Sequence, residues 1–127
     1  EKNDWDIFCG VMADLDNTKV LGVTEQDNEN FAYLSKMMSM VSNVYNKSVF
    51  NVIAGWDSTN RDVQKNTIDR YLEHTKLGIV TTSPFLVGHK EDLNSTIWGK
   101  QNTIYKEFLE KSSKKIVEMV EDYKQKN

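Results

Sequence analysis

Few residues in this 127-residue chain have the types and spacing needed for chemistry. Carboxylates cluster in Asp14-Leu15-Asp16-Asn17-Thr18, a pattern suited to holding a cation or to phosphoryl transfer. The two histidines, His74 and His89, are too far apart in sequence to form a spaced zinc-binding pair. The only cysteine, Cys9, falls beside an apolar stripe, which predicts a buried and unreactive thiol.

The run from Asp14 to Thr18 resembles the DxDxT motif of haloacid dehalogenase-type phosphatases over these five residues. The resemblance implies that Asp14 attacks phosphorus, that Asp16 handles the proton of the leaving group, and that Mg²⁺ neutralises charge. That family carries the motif at the tip of a parallel strand, whereas the residues before Asp14 predict a helix. Glu91-Asp92 is also a poor substitute for its later acidic pair. A metal-dependent enzyme using Asp14 and Asp16 is therefore the third function considered.

The same run fits a calcium loop of the helix-loop-helix type. Its weak alternative ligand set is Asp14, Asp16, Thr18 and Glu25, because such a loop takes oxygen ligands at alternating positions and closes with a bidentate glutamate. Lys19, however, stands where the sharp turn requires glycine, and it brings a positive charge towards the cation. We therefore expect an ordinary acidic loop, with no metal and no cofactor.

A second group of residues is typical of an interaction surface rather than of catalysis. Trp56-Asp57-Ser58-Thr59-Asn60-Arg61 places an aromatic ring, a carboxylate and a guanidinium together at a predicted helix junction. Trp, Tyr and Arg are frequent anchors of protein interfaces, although burial in the core is the alternative for both Trp56 and Trp98. The predicted partner-binding residues are Trp56, Asp57, Asn60, Arg61, His89 and Trp98.

Composition and charge exclude several classes of protein. A single cysteine rules out an intrachain disulfide scaffold, and a net charge of −3 argues against nonspecific nucleic-acid binding. Residues 1–30 carry eight acids against two lysines, which we interpret as an acidic solvated surface. No stretch has the ~20 apolar residues of a membrane span. The chain begins with Glu1 rather than Met, so we expect a processed, extracytoplasmic domain, with a cytoplasmic location as the alternative.

Apolar residues spaced by three and four predict helices along most of the chain. Trp5, Phe8, Met12 and Leu15 predict the first helix, with a strand over Ile7–Met12 as the alternative. One extended segment is expected over Ile79–Thr82 because of its β-branched residues. Further helices are predicted over 25–46, over 49–56, from 63 to a stop at 78, in a short piece that begins at Ser83-Pro84, and over 92–124.

The chain is therefore predicted to be a single all-α domain, 1–127, with four or five helices and a long C-terminal helix. We expect a small non-enzymatic protein-binding domain, such as an inhibitor, a toxin-immunity protein or an adaptor, with another protein as its partner. Pairing of two copies through the C-terminal helix is a further alternative. The second function considered is an extracytoplasmic sensor or carrier, which predicts an enclosed apolar pocket near Met38, Tyr45, Trp56 and Tyr71.

Overall fold

The computed structural model describes residues 5–38, 41–88 and 103–127. Five strands and three helices lie in this part of the chain, and a 3-10 turn, Lys47–Val49, precedes the first helix. In chain order the elements are β1 (Ile7–Cys9), β2 (Val20–Gln26), β3 (Glu29–Leu34), β4 (Asn43–Tyr45), α1 (Phe50–Ala54), α2 (Ile68–Glu73), β5 (Ile79–Ser83) and α3 (Thr103–Lys126). Within the described residues, no helix is both long and apolar enough to cross a membrane.

The strands form one mixed sheet in the order β2-β3-β5-β1-β4. Only β1 and β5 run parallel, with Ile7 beside Ile79, and the other three pairings are antiparallel. Because β5 lies between two neighbours in the middle of the sheet, all five of its residues are buried. The extended segment predicted over Ile79–Thr82 is thus correct.

The prediction of an all-α bundle is wrong, and the largest error is the helix expected over 25–46. This region instead forms the β2–β3 hairpin and the short strand β4. Asp27 and Asn28 connect the hairpin with φ angles of 52° and 66°, as a tight two-residue turn requires. Asp27 is therefore a turn residue rather than part of the helix predicted over 25–46. The helical spacing of the apolar residues here was fortuitous.

The first predicted helix is also wrong, and its strand alternative is correct over a shorter range. The strand β1 ends at Cys9, and residues 10–15 continue as an irregular segment. Met12 and Leu15 reach the core from this segment and are almost fully buried. The spacing of these buried side chains in an irregular segment is therefore the same as that of the apolar stripe of a helix.

Helix α3 covers part of the sheet and completes the core. Ile116 and Val120 belong to one apolar cluster with sheet residues such as Ala32 and with Leu72 of α2. The helices predicted over 49–56 and 92–124 are confirmed in part by α1 and by α3, since residues 92–102 lie outside the described residues. The helix predicted from 63 begins only at Ile68, and residues 85–88, which directly follow Ser83-Pro84 and are described, form no helix.

Candidate functional site

The segment 56–67, which we call the recognition loop, connects α1 to α2 and is organised around a buried amide. Asn66 is only 9% exposed. Its Nδ2 atom donates to the carbonyl oxygens of Asp57 at 2.6 Å and Asn60 at 2.9 Å. The carbonyl of Asn66 in turn accepts from Trp56 Nε1 at 2.9 Å. One side chain therefore satisfies two loop carbonyls, which have no sheet or helix partner to use.

Three short polar side chains brace the outer part of the same loop by bonding the backbone two residues ahead. Asp57 Oδ1 accepts from the amide of Thr59 at 2.9 Å, Asn60 Oδ1 from that of Asp62 at 3.0 Å, and Asp62 Oδ1 from that of Gln64 at 3.0 Å. Such turns are a common local use of Asp and Asn. Successive turns of this kind limit the conformations open to the loop.

The carboxylate of Asp57 also accepts from Thr59 Oγ1, at 2.7 Å. This side-chain hydrogen bond, together with those from the backbone amides of Thr59 and Asn60, lowers the pKa of Asp57. The charged form is favoured because each donor stabilises the carboxylate more than the acid. Asp57 therefore acts as a fixed anionic brace rather than as a proton donor.

The side chains that the loop does not use for itself project outwards. Val63 is 67% exposed, more than the other large apolar side chains at the surface of the described residues. Val63 lines a cavity of about 220 Å³ together with Trp56 and Arg61. The remaining lining comes from the polar residues Ser58, Asn60, Asp62, Asn66 and Thr67. The loop thus combines an aromatic ring, a guanidinium and an apolar tip around one open depression.

The structure brings together three of the six residues predicted to bind a partner. Trp56, Asn60 and Arg61 line the same cavity, and Asp57 braces the loop beside them. His89 and Trp98 lie outside the described residues. Sequence reasoning missed Val63 and Asn66, although the repeated Asp and Asn of this segment are a turn signal. It instead assigned Val63 to a helix.

Asp14 and Asp16 lie in a second, smaller depression next to α3. Its volume is about 60 Å³, and it is also lined by Phe108, Lys111, Ser112 and Lys115. Lys115 Nζ donates to Asp16 Oδ1, and this hydrogen bond and ion pair lower the pKa of Asp16, with smaller contributions from Lys111 and Lys36. The lysine head group therefore lies where a cation bound to Asp16 would have to sit.

The calcium-loop alternative has no geometric support. Glu25, its proposed closing ligand, lies in strand β2 and pairs with Lys124 at 3.5 Å. Asp16 pairs with Lys115, nine residues earlier on α3, which is about 13.5 Å along a helix axis. In the part of the chain that the structure describes, no three His, Cys, Asp or Glu residues are grouped so that they could hold a metal ion.

The structure places a strand before the phosphatase-like motif, but the motif does not lie at the tip of that strand. β1 is a strand and is parallel to β5, yet Asp14 follows five residues after its end rather than at its tip. A single parallel pairing also differs from the repeated parallel strands of that family. The motif therefore falls on an exposed loop held by Lys115, and the structure lends the nucleophile reading no support.

Two other sequence expectations concern buried side chains. Cys9 is fully buried, and burial raises the pKa of its thiol to about 12, so the thiol stays protonated and unreactive near neutral pH.

Tyr71 and Tyr45 pack against the apolar core, and the Tyr71 hydroxyl donates to the carbonyl of Val52 at 2.9 Å. The cavity beside Trp56 is open to solvent rather than enclosed. These contacts favour a filled core over the enclosed apolar pocket expected of a ligand carrier.

Comparison of the chain with protein-family models, with curated proteins and with solved structures finds no match.

Proposed function

We propose that this domain binds another protein and that the recognition loop, 56–67, is its binding surface. One observation carries the proposal: the loop is held by its own hydrogen bonds while Arg61 and Val63 project from it. Binding by a loop that is ordered beforehand loses little conformational entropy. Asp57, Asn60 and Asp62 fix the shape of the loop through their side-chain hydrogen bonds. Without these bonds the same side chains would be mobile.

The dimensions of the cavity support a protein rather than a small molecule as the ligand. A volume of about 220 Å³ is below the ~300–1,000 Å³ of typical small-molecule pockets. It suits one projecting side chain of a partner, with Trp56 and Arg61 in the wall as the anchoring groups. The exposed Val63 then supplies apolar contact at the cavity, and the surrounding polar residues form a rim.

Affinity capture from the native source, with quantitative identification of the bound proteins, tests the proposal. The bait is the full chain in four forms: unchanged, Val63→Asp, Arg61→Ala and Leu21→Asp. Leu21 is a matched control because it is 63% exposed on β2, outside the loop. We expect one protein whose recovery falls at least about tenfold with the two loop variants, because hot-spot substitutions cost ~2 kcal/mol or more. Recovery with Leu21→Asp should equal that of the unchanged chain.

The proposal is wrong if every captured protein is recovered equally with the loop variants and the control. Thermal unfolding of each bait accompanies the capture. A loop variant that unfolds is replaced by Val63→Ser, which removes the apolar tip without adding charge.

A further inference from the structure

A groove runs along one flank of α3, on a different side of the helix from the Asp14–Asp16 depression. It encloses about 580 Å³, with Gly88 at one wall. Leu109 is buried at its floor, and the apolar side chain of Val117, 38% exposed, also lines it. The rest of the lining is polar or charged: Lys106, Glu110, Ser113, Lys114 and Glu118. Leu109, Val117 and the aliphatic stems of the lysines and glutamates make most of the described wall apolar.

The charges along this groove alternate in sign at a constant spacing. Lys106, Glu110, Lys114 and Glu118 follow one another at intervals of four residues, so they form one ridge along the helix surface. The ridge begins with a lysine and ends with a glutamate. When two copies of the ridge lie antiparallel, each lysine of one copy is therefore opposite a glutamate of the other.

We propose that a second copy of this chain occupies the groove, with the two α3 helices antiparallel about a two-fold axis near Ser113. Lys106 then faces Glu118 of the second copy, and Glu110 faces Lys114. The symmetry repeats both contacts, so four pairs of opposite charge form at one self-complementary interface. Ser113, with its small side chain near the axis, permits close approach of the two helices. This surface is separate from the recognition loop, and the inference does not depend on the proposed function.

The contacts within one chain are compatible with this exchange of partners. Lys106 and Glu110 approach each other at 3.9 Å, with side chains 41% and 61% exposed. Such an exposed pair contributes little, so the loss of this one pair costs little; Lys106 also interacts with a further group of its own chain. The proposed pairs join exposed charges, and we therefore expect a weak dimer whose formation falls as salt screens them.

Sedimentation equilibrium of the full chain, over micromolar to millimolar concentrations at low salt, tests the interface. We expect a monomer–dimer equilibrium for the unchanged chain. Lys106→Glu and Glu118→Lys should each weaken dimerisation by about tenfold, because each brings like charges together at two symmetric places. The double variant Lys106→Glu/Glu118→Lys should recover it. Lys76→Glu, an exposed charge reversal outside α3, should leave it unchanged.

Mixing the two single variants gives a second, independent readout. A Lys106→Glu chain and a Glu118→Lys chain complement each other at both contacts, so an equimolar mixture should form a heterodimer that neither forms alone. Circular dichroism checks that each variant is folded, and the mixture requires no further substitution. A chain that stays monomeric at every concentration overturns the proposal. The proposal is also overturned if the single variants dimerise as well as the unchanged chain does. It is overturned as well if neither the double variant nor the mixture of single variants recovers dimerisation.

Discussion

Asn66 shows how much of the recognition loop depends on one side chain. Its side-chain amide donates to two carbonyls of the loop, and its backbone carbonyl accepts from the indole N–H of Trp56. A buried amide that donates two hydrogen bonds is costly to replace, because a side chain without these donors leaves both bonds unmade at a buried position. From the sequence, Asn66 could be predicted only as a residue that favours turns. Its distant partners, six and nine residues away, are set by the folded loop.

We expect Asn66→Asp to lower the free energy of unfolding by about 2 kcal/mol, since it turns two donated hydrogen bonds into contacts between acceptors. Urea unfolding followed by circular dichroism measures this change. Asn51→Asp, at an exposed position of α1, is the matched control and should lower it much less. Equal effects of the two substitutions would show that Asn66 does not organise the loop.

The two aspartates with lowered pKa values are held by different neighbours, and this permits a reciprocal test. Thr59→Val removes the Oγ1 donor that lowers the pKa of Asp57 most, so the pKa of Asp57 should rise while that of Asp16 stays unchanged. Lys115→Met removes the main partner of Asp16, so the pKa of Asp16 should rise while that of Asp57 stays unchanged. Carboxyl carbon shifts recorded against pH by NMR follow both groups in one sample.

The sign of the pH dependence follows from the same shifts. Both carboxyls have a lower pKa in the folded chain than the ~3.9 of an unfolded aspartate. Their stabilising contribution is therefore complete above that value and is lost as pH falls through the folded pKa values. Thr59→Val should reduce the loss of stability between neutral and acidic pH. An unchanged acid response, with unchanged carboxyl titrations, would contradict the contacts described.

At the scale of elements, the hairpin shows why spacing alone misassigned the fold. Phe31 and Leu34 are three apart, as in a helix, but they lie on a strand whose alternate residues Ala32 and Leu34 are buried. The decisive signal was the pair Asp27-Asn28, which adopts positive φ. It lacks the glycine that usually marks such a turn. Helical spacing did identify α1 and α3, where no tight turn competes with it.

The turn also gives a prediction about hairpin stability. Asn28→Gly should raise the free energy of unfolding by about 0.5 kcal/mol, since glycine adopts positive φ without the strain of a Cβ atom. Asn28→Val should lower it by more than about 1 kcal/mol, because a branched side chain resists that conformation. Thermal and urea unfolding of the two variants provide the comparison. The same sign for both substitutions would contradict the turn.

At the scale of the whole molecule, the uneven charge of the sequence has a structural counterpart. The first thirty residues are acidic, and two of these acids, Asp16 and Glu25, pair with Lys115 and Lys124 of α3. Composition predicted the imbalance but not the pairing, because the partners are about a hundred residues apart in the chain. These exposed contacts contribute modestly, and they bring opposite charges together where α3 meets the first half of the chain.

Prediction from the sequence succeeded best where neighbouring residues decide the outcome. Trp56, Asn60 and Arg61 are close in sequence, and they line one cavity because local turns fold the loop onto itself. The sheet could not be foreseen in the same way, since β1 pairs with β5 across some seventy residues. Pairings between distant segments leave no regular spacing in the sequence.

Site-specific photocrosslinking tests the central claim, binding of a protein at the recognition loop, most directly. A photoreactive residue replaces Val63 in one chain and Leu21 in another, and both are irradiated in extract of the native source. We expect one discrete covalent adduct from position 63, little from position 21, and loss of the position-63 adduct when Arg61→Ala is added. Equal adducts from both positions, or none from position 63, would contradict a recognition surface on this loop.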